Sequence, residues 1–466
     1  MADRRDDIDA WLGERIEPLP PPPGTFDLIK RRARRRKYRR LAITATSAAA
    51  LVAAAVTVPQ VVSLPVLNQN PTPGVAARAG QSSAAATPTP AGSHTAPSTA
   101  ASSAVLTRPP VPADFRPTSV TFVGQNTGWV IGQAGRPGHC ATQFCTSVAR
   151  TDDAGQTWAG VRAPLTGAPD GGTGVSQVRF LNLHDGWAYG PGLYATHTGG
   201  QAWAPVNTHG LRVTDLETVG DRVFALWASC SGHGPAFAVE CTSYTLYSAP
   251  AAGGGWAPVG AATTDLTNGS ASEAATLALT GTRGYLLAPD GALYAGPVDG
   301  SAAWQRVSSL ISPCTPGPAR ADGQPTGALL GAVNGRHLVL ACASSSSGAN
   351  PSVSAQQKQV YSSPNGGTSW LPMAKAPAAG VAFALAASPS YSVVLATDQG
   401  IDLLPAGDTA WQAATLQGTG PAGGFGYVGM TTDEQGIALP ADPSAGAVWF
   451  TFDGGQNWRP SRLTGP

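Results

Sequence analysis

Along Gln177–Leu183, QVRFLNL, apolar and polar positions alternate as they do in a strand with one buried face. The turn HDG follows, then a second apolar run, WAYG, then PG, then LYATHT, and after a glycine-rich turn a fourth short run, WAPV. Strand-length runs separated by turn residues at this rate predict a four-stranded antiparallel unit. SVTFVG/GWVIG, ALLGAV/HLVLACA and FGYVGM/GIALP open three more units in the same order. Three others keep the strands but have worn turns, SAPAAGGGW, AGPVDGSAAW and LPAGDTAW.

Tryptophan gives these units a period. Trp158, Trp203, Trp256, Trp304, Trp370, Trp411 and Trp458 recur at intervals of 45, 53, 48, 66, 41 and 47 residues. Turn-rich repeats of about 40–50 residues are the signature of a β-propeller, one four-stranded blade per repeat. The expectation is an all-β, seven-bladed propeller over residues 115–466. With 57 Gly, 41 Pro and 12% charged residues, the composition suits a turn-rich β protein and excludes a helical bundle.

The N-terminal part breaks the alternation. Leu41–Val58, LAITATSAAALVAAAVTV, is apolar and uncharged, and Lys30–Arg40, KRRARRRKYRR, abuts it. Residues 1–40 hold 12 Lys/Arg against 7 Asp/Glu. A basic cluster beside an apolar run of about 18 or more residues predicts a transmembrane helix, here 41–66, with the 1–40 tail in the cytoplasm. Two other readings stay open: a cleaved secretory signal, with Arg39-Arg40 as a twin-arginine pair, and a nucleic-acid-binding basic run. The position of the run against the apolar segment explains it without nucleic acid. Residues 67–114, rich in Ala, Ser, Thr, Pro and Gly, have too little apolar surface to order and predict a disordered stalk. The organisation that follows is a single-pass cell-membrane protein with an extracellular propeller.

One eight-residue turn recurs before the tryptophans. It reads TDDAGQTW with Thr151, Asp153, Gly155 and Trp158, and TFDGGQNW with Thr451, Asp453, Gly455 and Trp458. THTGGQAW has Thr196, Gly200 and Trp203 with Thr198 in place of Asp, and SPNGGTSW has Ser363, Gly367 and Trp370 with Asn365 there. A carboxylate or amide here caps backbone N–H groups, and the glycines supply positive φ. The pattern Ser/Thr-x-Asp-x-Gly-x-x-Trp resembles the Asp-box, or bacterial neuraminidase repeat. Families that carry it include sialidases, xyloglucan-degrading glycosidases, sortilin-type receptors and photosystem II assembly factor-like proteins. The HDGWAYG-then-GGQAW arrangement is most similar to the last group, so the resemblance implies a non-enzymatic binding or assembly role. The boxes themselves are expected to be hairpin staples.

For catalysis, the sialidase resemblance would require an Arg-Ile-Pro segment, and none occurs. A glycosidase needs two carboxylates facing a sugar, and the propeller holds only Glu217, Glu240, Glu273 and Glu434, with Asp mostly in turns. No catalytic residue and no cofactor is assigned. A surface glycan hydrolase is the alternative. The six cysteines predict disulfides in an oxidising compartment, Cys140–Cys145, Cys230–Cys241 and Cys314–Cys342 by proximity in sequence or in blade. His139 beside Cys140 and Cys230-x-x-His233 lack a full metal-ligand set, so no metal is expected.

In a four-stranded meander the loops after the second and fourth strands open on the face opposite the boxes. The cysteines fall there, with the long insertions Gly132–Cys145, Cys230–Cys241, Ser312–Gly327 and Ser344–Gln359. Long loops on a rigid scaffold are the usual seat of binding, which makes Arg136, His139, Phe144, His233, Phe237, Arg320 and Lys358 the candidate binding residues, for an extracytoplasmic protein or a cell-wall glycan. In the tail, Ile8, Trp11, Leu12 and Ile16 share one helical face. That face fits a cytoplasmic regulator and a third reading, a transmembrane sensor, against a tail that only sets topology.

Overall fold

The computed structural model describes residues 109–135, 144–167, 174–231, 240–265, 275–288, 291–308, 328–344 and 357–463. The tail, the apolar run 41–66 and the stalk up to residue 108 lie outside the described residues, and no described helix is long and apolar enough to cross a membrane.

Seven sheets, antiparallel except for one edge strand of the last, follow one another along the chain. Blade 1 is β1 (Arg116–Val123), β2 (Thr127–Gly135), β3 (Phe144–Thr151) and β4 (Ala159–Val161). Blade 2 is β5 (Gln177–Phe180), β6 (Gly186–Tyr189), β7 (Leu193–Thr196) and β8 (Ala204–Pro205). Blade 3 is β9 (Arg212–Val219), β10 (Arg222–Ser231), β11 (Glu240–Pro250) and β12 (Ala257–Asp265). Blade 4 comprises β13 (Thr276–Leu279), β14 (Arg283–Leu287), β15 (Leu293–Pro297) and β16 (Gln305–Ser308). Blade 5 comprises β17 (Ala328–Ala332), β18 (Leu338–Ser344), β19 (Gln357–Ser363) and β20 (Leu371–Pro372). Blade 6 comprises β21 (Ala382–Ala387), β22 (Val393–Thr397), β23 (Ile401–Leu404) and β24 (Gln412–Ala413). Blade 7 has β25 (Thr415–Leu416), β26 (Phe425–Met430), β27 (Gly436–Pro440), β28 (Ala447–Thr451) and β29 (Asn457–Arg462). Its fifth strand, β25, comes from the blade 6–7 linker and pairs parallel to β29, with Thr415 opposite Asn457.

The apolar residues divide into seven clusters, and each joins two neighbouring blades. Trp158, Trp304 and Trp458 are buried in the clusters of blades 7/1, 3/4 and 6/7. Trp203, Trp256, Trp370 and Trp411 pack partly buried against those of 1/2, 2/3, 4/5 and 5/6. The tryptophan period is thus the period of the blade interfaces. Burying one such indole removes about 150–250 Å² from water, worth up to about 4–6 kcal/mol at the usual transfer coefficient.

Among the described residues no strand is exchanged to close the ring: blade 1 is wholly N-terminal and blade 7 wholly C-terminal. Closure rests on the 7/1 cluster, in which Val120, Val130 and Trp158 meet Tyr427, Val448 and Phe450. Residues 109–114, placed in the stalk by composition, belong to this seam. Val111 and Phe115 are buried in the cluster, and the Gly160 N–H donates to the Pro109 carbonyl at 2.8 Å. The apolar anchors Val111 and Phe115 override the Pro-rich local composition.

Candidate functional site

Connections between strands 1 and 2 and between strands 3 and 4 lie on one face of the propeller, and the remaining connections lie on the other. On the first face, the four Ser/Thr-x-x-x-Gly-x-x-Trp turns share one hydrogen-bond scheme. The glycine N–H donates to the hydroxyl four residues before it: Gly155 to Thr151 at 3.0 Å, Gly200 to Thr196 at 3.1 Å, Gly367 to Ser363 at 2.8 Å and Gly455 to Thr451 at 3.0 Å. The preceding residue donates to the first turn of its own blade, Ala154 to Asn126 O at 2.9 Å and Gly454 to Glu434 O at 2.8 Å. The third position caps outward: Asp153 accepts from Thr157 N and Asp453 from Asn457 N, both at 2.9 Å. Burial works against ionisation of these two carboxyls, but the hydrogen bonds from Thr157 and Asn457 respectively win and hold both below the ordinary aspartate range.

The turn glycines also touch the preceding blade. Gly155 has φ +81°, and a Cβ there would fall 2.3 Å from the Phe450 ring of blade 7. An alanine would be strained in backbone and clash in side chain.

Around the channel mouth on this face, the strand 1–2 turns of adjacent blades are laced together. The Tyr285 hydroxyl donates to Gly335 O at 2.8 Å, Asn334 Nδ2 to the Tyr391 hydroxyl at 3.1 Å, Ser390 N to Asp433 Oδ1 at 2.6 Å, and Gln435 Nε2 to Gln125 O at 2.8 Å. That series runs from blade 4 through blade 7 to blade 1. A cavity of about 580 Å³ lies beside it, lined by Val120–Thr127, Phe180, Leu181, Leu183, Thr218, Tyr427 and Gly429–Thr431 among others, with no charged side chain among the described residues of its walls. Leu183, 45% exposed, stands at its edge.

Within the channel, first-strand side chains serve the backbone of the next blade. Thr118 donates to Ser176 O at 2.8 Å, and Ser119 Oγ accepts from Val178 N at 2.9 Å. Asp215 accepts from Leu216 N at 3.0 Å and from Leu277 N of blade 4 at 2.9 Å. Arg179 and Glu217 form an ion pair at 3.6 Å with side chains 1% and 2% exposed. Burial opposes the guanidinium charge, but Tyr189, Glu217, Tyr427 and Asp215 together raise its pKa and keep it protonated. Arg179 Nη1 also donates to Val178 O at 2.8 Å. No described group of three or more His, Cys, Asp or Glu could hold a metal ion.

On the loop-bearing face, the Cys230–Cys241 disulfide joins the facing ends of β10 and β11. Cys145 and Cys342 are disulfide-bonded as well. Cys140 and Cys314 lie outside the described residues, as do Arg136, His139, His233, Phe237 and Arg320. Phe144 is the first residue of β3, opposite Gly135. Lys358, expected in a loop at the channel rim, is in β19 and 1% exposed. Its Nζ donates to the Ala379 and Gly380 carbonyls, each at 2.7 Å, which makes it a brace between blades 5 and 6. Burial brings the amine down to about 8, against the opposing pull of Asp402 and Asp398. Nothing in the chain marks this role, because the run before β19, residues 345–356, carries no strand pattern.

Sequence reasoning missed two features. Arg179 reads as an ordinary polar position of an alternating strand. The second-strand tryptophans fall outside the period: Trp129 stacks on Phe180 at 3.8 Å and its indole donates to Gly199 O, in the turn of blade 2, at 3.1 Å.

No protein-family model matches the chain, and no curated protein matches it. Among solved structures it is similar to Ycf48 bound to a D1 peptide, at 16% identity and TM-score 0.40 over 64% of this chain and 84% of that one. Ycf48 from Cyanidioschyzon merolae gives 15% and 0.39 over 61% and 83%. An ancestral GH74 enzyme gives 12% and 0.49 over 76% of this chain and 47% of that one. The likeness is one of backbone fold.

Proposed function

We propose that this chain is a single-pass membrane protein, with its tail inside and residues 41–66 spanning, that displays the propeller at the cell surface as a non-catalytic binding or assembly module. The four turns are its Asp-boxes, acting as staples. The loop-bearing face, with Arg136, His139, Phe144, His233, Phe237 and Arg320 and the further pairs Cys140–Cys145 and Cys314–Cys342, is a working surface for an extracytoplasmic protein or a cell-wall glycan.

One observation carries the non-catalytic reading. The carboxylates at the channel are already engaged in holding the scaffold: Asp215 takes two backbone N–H groups and Glu217 pairs with buried Arg179. A glycosidase requires an acid and a base free to face the sugar. Asp153 and Asp453 are likewise committed to their turns.

The test is cross-linking of the full chain on intact cells, followed by identification of what is recovered and of the fraction that holds it. The expected result is a saturable surface partner in the membrane fraction, reduced when Gly132–Cys145 or Cys230–Cys241 is shortened. Recovery of a soluble mature chain, or of a cytoplasmic regulator as the sole partner, would contradict the reading.

A further inference from the structure

The cavity on the turn-bearing face lies beside a first strand that is served differently from β5 and β13. The channel-side backbone of β5 receives Thr118, Ser119 and Thr121 from blade 1, and that of β13 receives Asp215 from blade 3. Among the described residues, blade 7 gives the Val120–Val123 stretch of β1 no such ladder. Toward blade 1, β26 presents Tyr427 and then Gly429, where a Cβ would fall 2.6 Å from the Tyr427 hydroxyl. Among the described residues no side-chain hydrogen bond reaches the backbone of Val120–Val123, and this stretch forms one wall of the cavity. The edges of β5 and β13 are satisfied in this way, as buried backbone groups generally must be, whereas the Val120–Val123 edge faces the cavity.

The geometry points to a binding site here for an extended, uncharged protein segment, which adds its main chain to the open edge of β1 and sets one apolar side chain into the cavity. The chemistry of the walls selects that ligand. A strand edge offers alternating N–H and C=O groups, which another peptide main chain matches directly and a sugar does not. With no charged side chain among the described residues of the lining, an ionised ligand group would lose its hydration without a partner. Leu181, Met430 and Ile437 provide apolar contact, and half-exposed Leu183 extends it to the rim. The volume, about 580 Å³, falls within the roughly 300–1,000 Å³ typical of specific sites. This site lies on the face opposite the long insertions, and its assignment rests on the reading of the propeller as a binding module.

A displayed library of short random peptides, selected on the full chain in detergent micelles, tests the assignment. Enriched peptides should share an uncharged stretch with one Leu, Ile, Val or Phe anchor. N-methylation of alternate amides in one register, leaving side chains intact, should weaken binding at least about tenfold, and Leu183→Asp and Thr218→Trp should each do the same. Leu183 is at the rim and Thr218 is half-buried, so one variant alters the entrance and the other fills the space. No enrichment, affinity indifferent to N-methylation, or equal binding to both variants overturns the site. If xyloglucan oligosaccharides rather than peptides compete there, the ligand class is overturned. If binding instead depends only on the Cys230–Cys241 loop, this site falls while the binding-module reading stands.

Discussion

The indole Nε1 of Trp158 donates a 2.9 Å hydrogen bond to the Ser461 hydroxyl across a sequence separation of 303 residues, and Ser461 in turn donates to the Gly155 carbonyl. With no strand shared between blades 1 and 7 among the described residues, this relay and the 7/1 cluster fasten the first blade to the last. Ser461→Ala should cost about 1 kcal/mol and Trp158→Phe about 2 kcal/mol, from a lost hydrogen bond and lost packing. In a double-mutant cycle by denaturant unfolding the two should couple by about 0.5–1 kcal/mol, as contacting residues do. Strict additivity would mean the relay does not fasten the seam.

In each turn the hydroxyl should matter more than the carboxylate. Thr451 accepts from the buried Gly455 N–H, whereas Asp453 accepts from the exposed N–H of Asn457. Thr451→Val should therefore cost about 1–3 kcal/mol by stranding a buried donor, and Asp453→Ala about 1 kcal/mol or less. Thermal unfolding of both variants checks the order.

Gly155→Ala should destabilise by more than 2 kcal/mol, combining a positive-φ penalty of about 1 kcal/mol or more with displacement of the Phe450 ring. Gly210→Ala, at φ +80° but with open space around it, isolates the backbone part. The two melting temperatures should differ clearly.

Much of this architecture was legible in the chain. The tryptophan spacing marks all seven blade interfaces because one indole per repeat closes each seam. The Ser/Thr and Gly of the four recurring turns were legible because only they satisfy that local hydrogen-bond and φ requirement. Lys358, Arg179 and Glu217 were not, since their partners come from other blades and leave no trace at a fixed sequence offset. Nor was the cavity beside β1, whose walls come from residues as far apart in the chain as Val120 and Ile437. Val111 was hidden by its Pro-rich neighbours.

Lys358 gives a pH signature. Its amine sits at about 8 in the folded chain, below the ordinary value near 10.5. Below pH 8 both folded and unfolded chains are protonated there, and the cost of burying the charge is fully present. Between about 8 and 10.5 the unfolded chain binds more protons, so stability rises with pH. The melting temperature of the wild type relative to Lys358→Met should increase over that window. A decrease would mean that Asp402 and Asp398 outweigh burial.

If the channel carboxylates hold structure and perform no hydrolysis, the chain releases no sugar. The full chain should be incubated with xyloglucan and sialosides beside the Glu217→Gln variant, with released saccharide measured together with the melting temperature. Neither protein should release saccharide, and Glu217→Gln should melt at a lower temperature because buried Arg179 loses its counter-charge. Release of saccharide by the wild type that Glu217→Gln abolishes, with the melting temperature unchanged, would contradict it.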